Sequence, residues 1–257
     1  MGLLDLSGRS ALVVGAGMGI GRATARMLGA AGAHTVVLDR HGDRAEEVAN
    51  VIREARGRAE VIVADVTASS DVVEVVDEAD RLSGGIDILV NITGSATWIP
   101  LLELDDATWD RDFAITLEQH RYVSRAVTRR WVDRGRPGVV CVVASISGLF
   151  GSSMHGAYGA AKAGLTSFVR SAAEEWWPLG IRVNAVVPGS VRTPRIEATL
   201  MKNESLAPLP EGIARMAMPE DIAGPIAYLV SDLSKKVTGQ TIIVDGGTTT
   251  RFPYALT

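Results

Sequence analysis

The chain has 257 residues, 47% of them hydrophobic and 22% charged, with a formal net charge of −4. Such a length and composition fit one soluble globular domain with a sizeable core, and length alone also admits two small domains. The mild acidity removes the electrostatic reason to expect nucleic acid or an anionic membrane as partner, and no apolar run approaches the roughly 18 residues needed to span a bilayer.

The first ten residues, MGLLDLSGRS, lack the cationic start and long apolar stretch of a secretion signal. Gly2 alone does not make a myristoylation site, because that pattern needs Ser or Thr where Leu6 stands. The single cysteine, Cys141, lies in the apolar run VVCVVAS and has no partner for an internal disulfide. It reads as a small buried hydrophobe rather than a nucleophile, and the expected setting is a reducing cytoplasm.

Short β-branched runs then alternate with longer helical patterns. The runs are ALVVG (11–15), HTVVLD (34–39), AEVIVAD (59–65), IDILVN (86–91), GVVCVVAS (138–145), IRVNAVV (181–187) and QTIIVDGG (240–247). Several are apolar on both faces, as strands covered by helices on each side must be. Between them, stretches such as 43–55 and 69–82 carry apolar residues at helical spacing and charges on the other face. The alternation predicts an α/β fold in one domain over 1–257: a doubly wound parallel sheet of about seven strands with helices on both faces. One irregular region, about 188–218, is rich in proline and suits a mobile flap over a substrate site.

The first run leads into VGAGMGIGRATA, in which Gly15, Gly19 and Gly21 form G-x-x-x-G-x-G with Gly17 as an extra glycine. Glycines there allow positive φ and let the backbone approach a pyrophosphate at a helix N-terminus, although glycine-rich turns also serve simple tight packing. At the end of the second run, Asp39 stands where a carboxylate accepts both hydroxyls of an adenosine ribose and repels a 2′-phosphate. Arg40 follows and offers that phosphate a partner, so NADP stays open while NAD is favoured. Later, Tyr158 and Lys162 in GAYGAAKAG are four residues apart and share one helix face. A phenol titrates near 10 in isolation, and a neighbouring ammonium draws it toward neutrality.

Taken together, the glycine turn, Asp65 after the third run, LVNITG at 89–94, Ser145 in VASISG, YGAAK at 158–162, NAVVPGSVRTP at 184–194 and VTGQTIIVDGG at 237–247 resemble a short-chain dehydrogenase/reductase. The resemblance runs from about Leu6 to Gly247. It implies a Rossmann-type fold and hydride transfer between NAD(H) and a secondary alcohol or ketone, with 3-oxoacyl-carrier-protein reduction using NADPH as the alternative. It implies that Ser145 holds the substrate oxygen, Tyr158 moves the proton, and Lys162 also bonds the nicotinamide ribose. The cofactor set implied is Gly15, Gly17, Gly19, Ile20, Gly21, Asp39, Arg40, Asp65, Val66, Asn91, Gly94, Tyr158, Lys162, Pro188, Gly189, Val191 and Thr193. Trp98, Ser147, Leu149, Met154, His155, Ile196, Leu200 and Met201 fall where the family lines its substrate pocket, which suggests an apolar substrate; core packing explains several equally well. His155 is alternatively an ordinary helix-start residue. The family commonly forms tetramers, so a homotetramer or homodimer is expected, and the tail 248–257 suits burial against a neighbouring subunit.

The chain departs from the family pattern at three places: Val14, Asn91-Ile92-Thr93-Gly94 where the family has N-N-A-G, and Thr116. Val14 replaces a threonine, and Thr93 is expected to take over part of its hydrogen bonding. Thr116 stands where the family has an asparagine of the proton relay; its hydroxyl is expected to bond back to the carbonyl of Asp112. His120 reads as a core or interface polar group. The arginines of 124–136 read most simply as a solvated helix end and, as the lesser alternative, as a docking patch for an acidic carrier protein. No His, Cys or carboxylate spacing points to a metal.

Overall fold

The computed structural model describes residues 4–194, 196–198 and 215–250. Seven strands, β1 (Ser10–Val14), β2 (His34–Asp39), β3 (Arg58–Val63), β4 (Ile88–Asn91), β5 (Gly138–Val143), β6 (Ile181–Pro188) and β7 (Thr241–Val244), form one sheet. All pairings are parallel, in the order β3-β2-β1-β4-β5-β6-β7. The helices are α1 (Gly19–Ala30), α2 (Gly42–Glu54), α3 (Ser69–Ser83), α4 (Asp106–Phe113), α5 (Gln119–Asp133), α6 (Gly156–Trp176) and α7 (Pro219–Val230). A π-helical turn, Ala114–Glu118, joins α4 to α5.

The all-apolar central strands bury both of their faces. Ala11, Val13, Val139 and Cys141 pack with Ala25 and Leu28 of α1, Val48 and Ile52 of α2, and Ile222 and Ile226 of α7. Their neighbours Leu12, Val14, Val140 and Val142 point the other way, onto Val72 and Val76 of α3, Val123 and Val127 of α5, and Leu165 and Val169 of α6. The strand period of two thus divides one β-branched run between two cores. Each such side chain contributes about 1.5–3 kcal/mol on burial. Cys141 is fully buried in this layer, and burial pushes its thiol up to about 12, so it carries no thiolate at neutral pH.

Several strands end earlier than their apolar runs. The run 240–247 stops pairing at Val244 because the Asp245 carboxylate accepts from the backbone N–H groups of Gly247 and Thr249, and Gly246 and Gly247 turn to positive φ. The run 59–65 stops at Val63, and Asp65 closes a turn by accepting from the Thr67 N–H at 2.9 Å. These early ends open the carboxyl edge of the sheet. The strand order reverses between β1 and β4, and the crevice outside their carboxyl ends is the topological position at which such sheets bind ligands. Of the region 188–218, residues 195 and 199–214 lie outside the described residues, as do Phe252 and Tyr254 of the tail.

Candidate active site

The glycine turn follows β1 directly. The Gly15 and Ala16 N–H groups donate to the Leu38 carbonyl, which locks the turn against the end of β2. Gly15 has φ +77°, and a Cβ on Gly21 would lie 1.9 Å from the Gly15 carbonyl oxygen, so the α1 backbone seats against the turn only with glycine there. α1 begins without a side-chain cap and without an acidic residue in its first turn. Its free N–H groups and positive dipole end face the crevice and suit an anion such as a pyrophosphate. Ile20 anchors the turn by packing on the α1 side of the core.

Asp39 is held at this turn from both oxygens, accepting from the Gly17 N–H at 2.9 Å and the His41 N–H at 3.0 Å. A Cβ on Gly17 would lie 2.8 Å from the carboxylate, so this glycine admits it. The Arg40 guanidinium donates to His41 Nε2. Asp65 is held below the usual carboxylate range by the Thr67 N–H, with the Arg40 charge adding to the effect. Val66 is buried beneath it. On the opposite wall, Pro188 closes β6, the Gly189 N–H donates to the Val244 carbonyl, and Val191 pairs with Ala217. Thr193 places Cγ2 against Gly19, so the β6 exit and the glycine turn meet.

Below this cradle, Lys162 is 1% exposed and donates to the Val143 carbonyl at 2.6 Å. Its Nζ lies 5.7 Å from the Tyr158 ring centroid. Burial draws the ammonium down from 10.5 to about 7. Ser145 leaves β5 and its hydroxyl accepts from the Ser147 N–H, which starts a single 3-10 turn. That turn packs on α6, because Gly159 admits the Ser147 carbonyl and a Cβ on Gly148 would lie 2.7 Å from the Ala163 nitrogen. The small residues around Tyr158 therefore serve the approach of the Ser145 turn, and Ala160 faces solvent.

His155 bonds through Nδ1 to the Ser147 and Ser152 hydroxyls, and its ring sits edge-on to Trp98 at 4.1 Å and to Tyr158 at 5.4 Å. Burial lowers its pKa below 6.5, partly opposed by the Asp112 charge. The structure thus gathers Trp98, Ser147 and His155 beside Tyr158. Met154 adopts φ +62°, a conformation that costs an ordinary residue about 1–3 kcal/mol, and its carbonyl accepts from the Ile99 N–H. Ile196 donates its N–H to the Thr193 hydroxyl, and Leu149 and Phe150 are exposed just after the 3-10 turn. Leu200 and Met201 lie outside the described residues.

Two expectations are corrected. The Thr116 hydroxyl does not bond back to the Asp112 carbonyl: it donates to the Ser95 carbonyl and accepts from the Ser95 N–H. The π turn interrupts the regular helix ladder at this residue and hands it to the β4 exit. The Thr93 hydroxyl lies beside Gly15 but makes no hydrogen bond among the described residues; Thr93 engages through its backbone.

Gln119 was missed, and His120, read as a core or interface polar group, is fully buried. Gln119 accepts from the Asn91 amide at 2.8 Å and donates to the Ile115 carbonyl, and His120 Nε2 lies 2.8 Å from the Thr93 carbonyl. Their spacing from Thr116, three and four residues, was the available signal. Four arginines at the end of α5 and beyond it are ion-paired: Arg129 with Asp133, Arg130 with Asp77, Arg134 with Asp80, and Arg136 with Asp87. Among the described residues no group of three or more His, Cys, Asp or Glu is arranged to hold a metal, and no helix is long and apolar enough to cross a membrane.

A family model described as enoyl-(acyl carrier protein) reductase matches residues 15–249. The cis-4-hydroxycyclohexanecarboxylate dehydrogenase of Sinomonas cyclohexanicum is 38% identical over 242 residues, covering 94% of this chain and 96% of the relative. A short-chain type dehydrogenase/reductase from Mycobacterium marinum superposes with TM-score 0.91 at 33% identity, covering 97% of this chain and 98% of that one. A protein from Beutenbergia cavernae, assigned as an NAD(P)-dependent gluconate 5-dehydrogenase and crystallised with NADP at low occupancy, superposes with TM-score 0.89 at 34% identity, covering 97% and 100%.

Proposed function

The chain belongs to the short-chain dehydrogenase/reductase family and is an NAD(P)-dependent oxidoreductase of CH–OH groups; within that class, we propose that it uses NAD and oxidises a largely apolar secondary alcohol, reversibly, to the ketone. The observation that carries the cofactor reading is Asp39, held by Gly17 and His41 at the glycine turn, where its charge opposes a 2′-phosphate. The uncapped start of α1 and the glycine contacts fit the pyrophosphate, with Asp65, Val66, Asn91 and Gly94 along the adenosine side and Pro188, Gly189, Val191 and Thr193 along the nicotinamide side.

When bound, a nicotinamide supplies the hydride acceptor. Ser145 then holds the substrate oxygen by its hydroxyl. Tyr158 Oη takes the alcohol proton while the carbinol C–H bond breaks with its electron pair and the C=O double bond forms. Lys162 supports this by placing positive charge beneath the Tyr158 ring, which favours the phenolate. Thr116 acts through the Ser95 backbone and does not itself carry the proton.

Trp98 beside His155, and the exposed Leu149 and Phe150 that follow the Ser145 turn, support a hydrophobic substrate. The named relative acts on a hydroxycyclohexanecarboxylate, which supports a ring alcohol. The alternative, 3-oxoacyl-carrier-protein reduction with NADPH, needs cationic surface for an acidic carrier, and Arg129, Arg130 and Arg134 instead pair with aspartates. The exposed Trp177 and Leu179 beyond α6 support assembly with further copies of the chain. The test is turnover of a panel of cyclic and linear secondary alcohols with NAD and NADP compared. Oxidation of ring alcohols with NAD preferred is the expected result. Turnover of 3-oxoacyl thioesters with NADPH alone would establish the alternative, and cofactor binding without any turnover would make the protein a dinucleotide sensor.

A further inference from the structure

His120 is fully buried at the start of α5, just after the π turn, and no step above uses it. Its Nε2 lies 2.8 Å from the Thr93 carbonyl, and a carbonyl only accepts. Nε2 therefore carries the proton, and in the neutral ring Nδ1 is bare. Nδ1 is buried and has no partner among the described residues. An unpaired buried polar atom costs about 1–3 kcal/mol, so an imidazole that merely filled space would be a poor choice here. The residue after Thr93 is Gly94, and a Cβ on Gly94 would lie 3.0 Å from Lys162 Nζ. The Thr93–Gly94 backbone thus runs between the imidazole and the ammonium. Gln119 holds the same segment from the neighbouring helical position, through Asn91 and the Thr93 carbonyl.

We propose that His120 is a positioning residue for Lys162: its Nε2–H pins the Thr93 carbonyl so that Gly94 packs against the ammonium and fixes it beneath Tyr158. Burial first, and then the Lys162 charge, keep the ring neutral, which preserves the tautomer that the bond needs. The charged groups around it fit this assignment. Lys162 approaches from α6 with Tyr158 beside it, Arg121 and Glu118 pair with each other at the surface, and Asp112 of α4 is committed to Thr97. The inference rests on the reading of Lys162 as the residue that tunes Tyr158.

The test uses the reach of two amides. In His120→Gln the side-chain N–H extends to the place of Nε2, whereas in His120→Asn it stops short, near Nδ1. The kcat of both is measured against pH, with thermal stability and NAD binding as controls and Lys162→Met in parallel to report on the underlying reading alone. His120→Asn should lose at least about tenfold in kcat, toward the 10²-fold that an ångström of misplacement can cost, and should move the pH profile. His120→Gln should stay within about threefold. A His120→Asn variant with the parent kcat and pH profile overturns the proposal, as does a His120→Gln variant equally impaired. In the unaltered protein, nitrogen NMR should find His120 neutral and protonated on Nε2 at neutral pH. The other tautomer, or a charged ring at neutral pH, overturns the proposal even if neither variant folds.

Discussion

Replacing Lys162 by methionine should raise the stability of the cofactor-free protein while abolishing its activity. Lys162 is 1% exposed, and burial draws it from 10.5 to about 7. At about 1.36 kcal/mol per pH unit, that displacement costs the folded state about 5 kcal/mol. Because the folded pKa is depressed, the unfolded chain binds the proton more readily between pH 7 and 10.5, so the penalty is complete below about 7 and fades as pH rises. Methionine keeps the buried length but leaves the Val143 carbonyl without its donor, a loss of about 1–3 kcal/mol. The net gain is therefore about 2–4 kcal/mol at about pH 6, or roughly 5–15 °C in Tm for a chain of this size. It should vanish near pH 9 and reverse above 10.5. The assay is thermal or urea unfolding of both proteins without cofactor across that range. A Lys162→Met protein that is less stable than the parent at pH 6, or a difference that ignores pH, would refute the reasoning and mean that the ammonium finds compensation in the folded state.

Tyr158→Phe removes the proton carrier and keeps the ring; kcat should fall by at least about 10²–10⁴-fold while NAD binding survives, and substantial residual turnover would assign the proton to another group. Asp39→Ser should raise KM for NAD and improve the use of NADP, since the charge held by Gly17 and His41 is gone; equal use of both cofactors by the unaltered protein would remove the basis of the assignment. Thr116→Val deletes two hydrogen bonds to Ser95 and should lower stability by about 1–2 kcal/mol. Its kcat should stay within about tenfold of the parent, and inactivity comparable to Lys162→Met with NAD still bound would make the threonine hydroxyl a relay member.

The parts of the site that were legible in the sequence are those with a local signature. Tyr158 and Lys162 share a helix face because of their spacing, and the glycines after β1 announce a turn that no side chain could make. The strand runs were legible because β-branched residues facing two cores leave no alternation. Their ends were not, since Asp245 and Asp65 stop pairing through side-chain hydrogen bonds made to later residues. Gln119 escaped because a polar residue on an amphipathic helix reads as solvated, whereas His120, read as a core or interface group, is buried beside it after the π turn. The same turn sent Thr116 to Ser95 instead of back along its own helix. His155 had two readings, and its ring beside Trp98 and Tyr158 favours the substrate side.

The central claim is that this site moves a hydride from an alcohol carbon to a nicotinamide. It is tested most directly by turning over a cyclic secondary alcohol deuterated at the carbinol carbon and weighing the reduced cofactor by mass spectrometry. The account predicts one deuterium in the nicotinamide ring per ketone formed, and loss of both products together in Tyr158→Phe. Ketone formed with an undeuterated cofactor, or label lost to water, would contradict it.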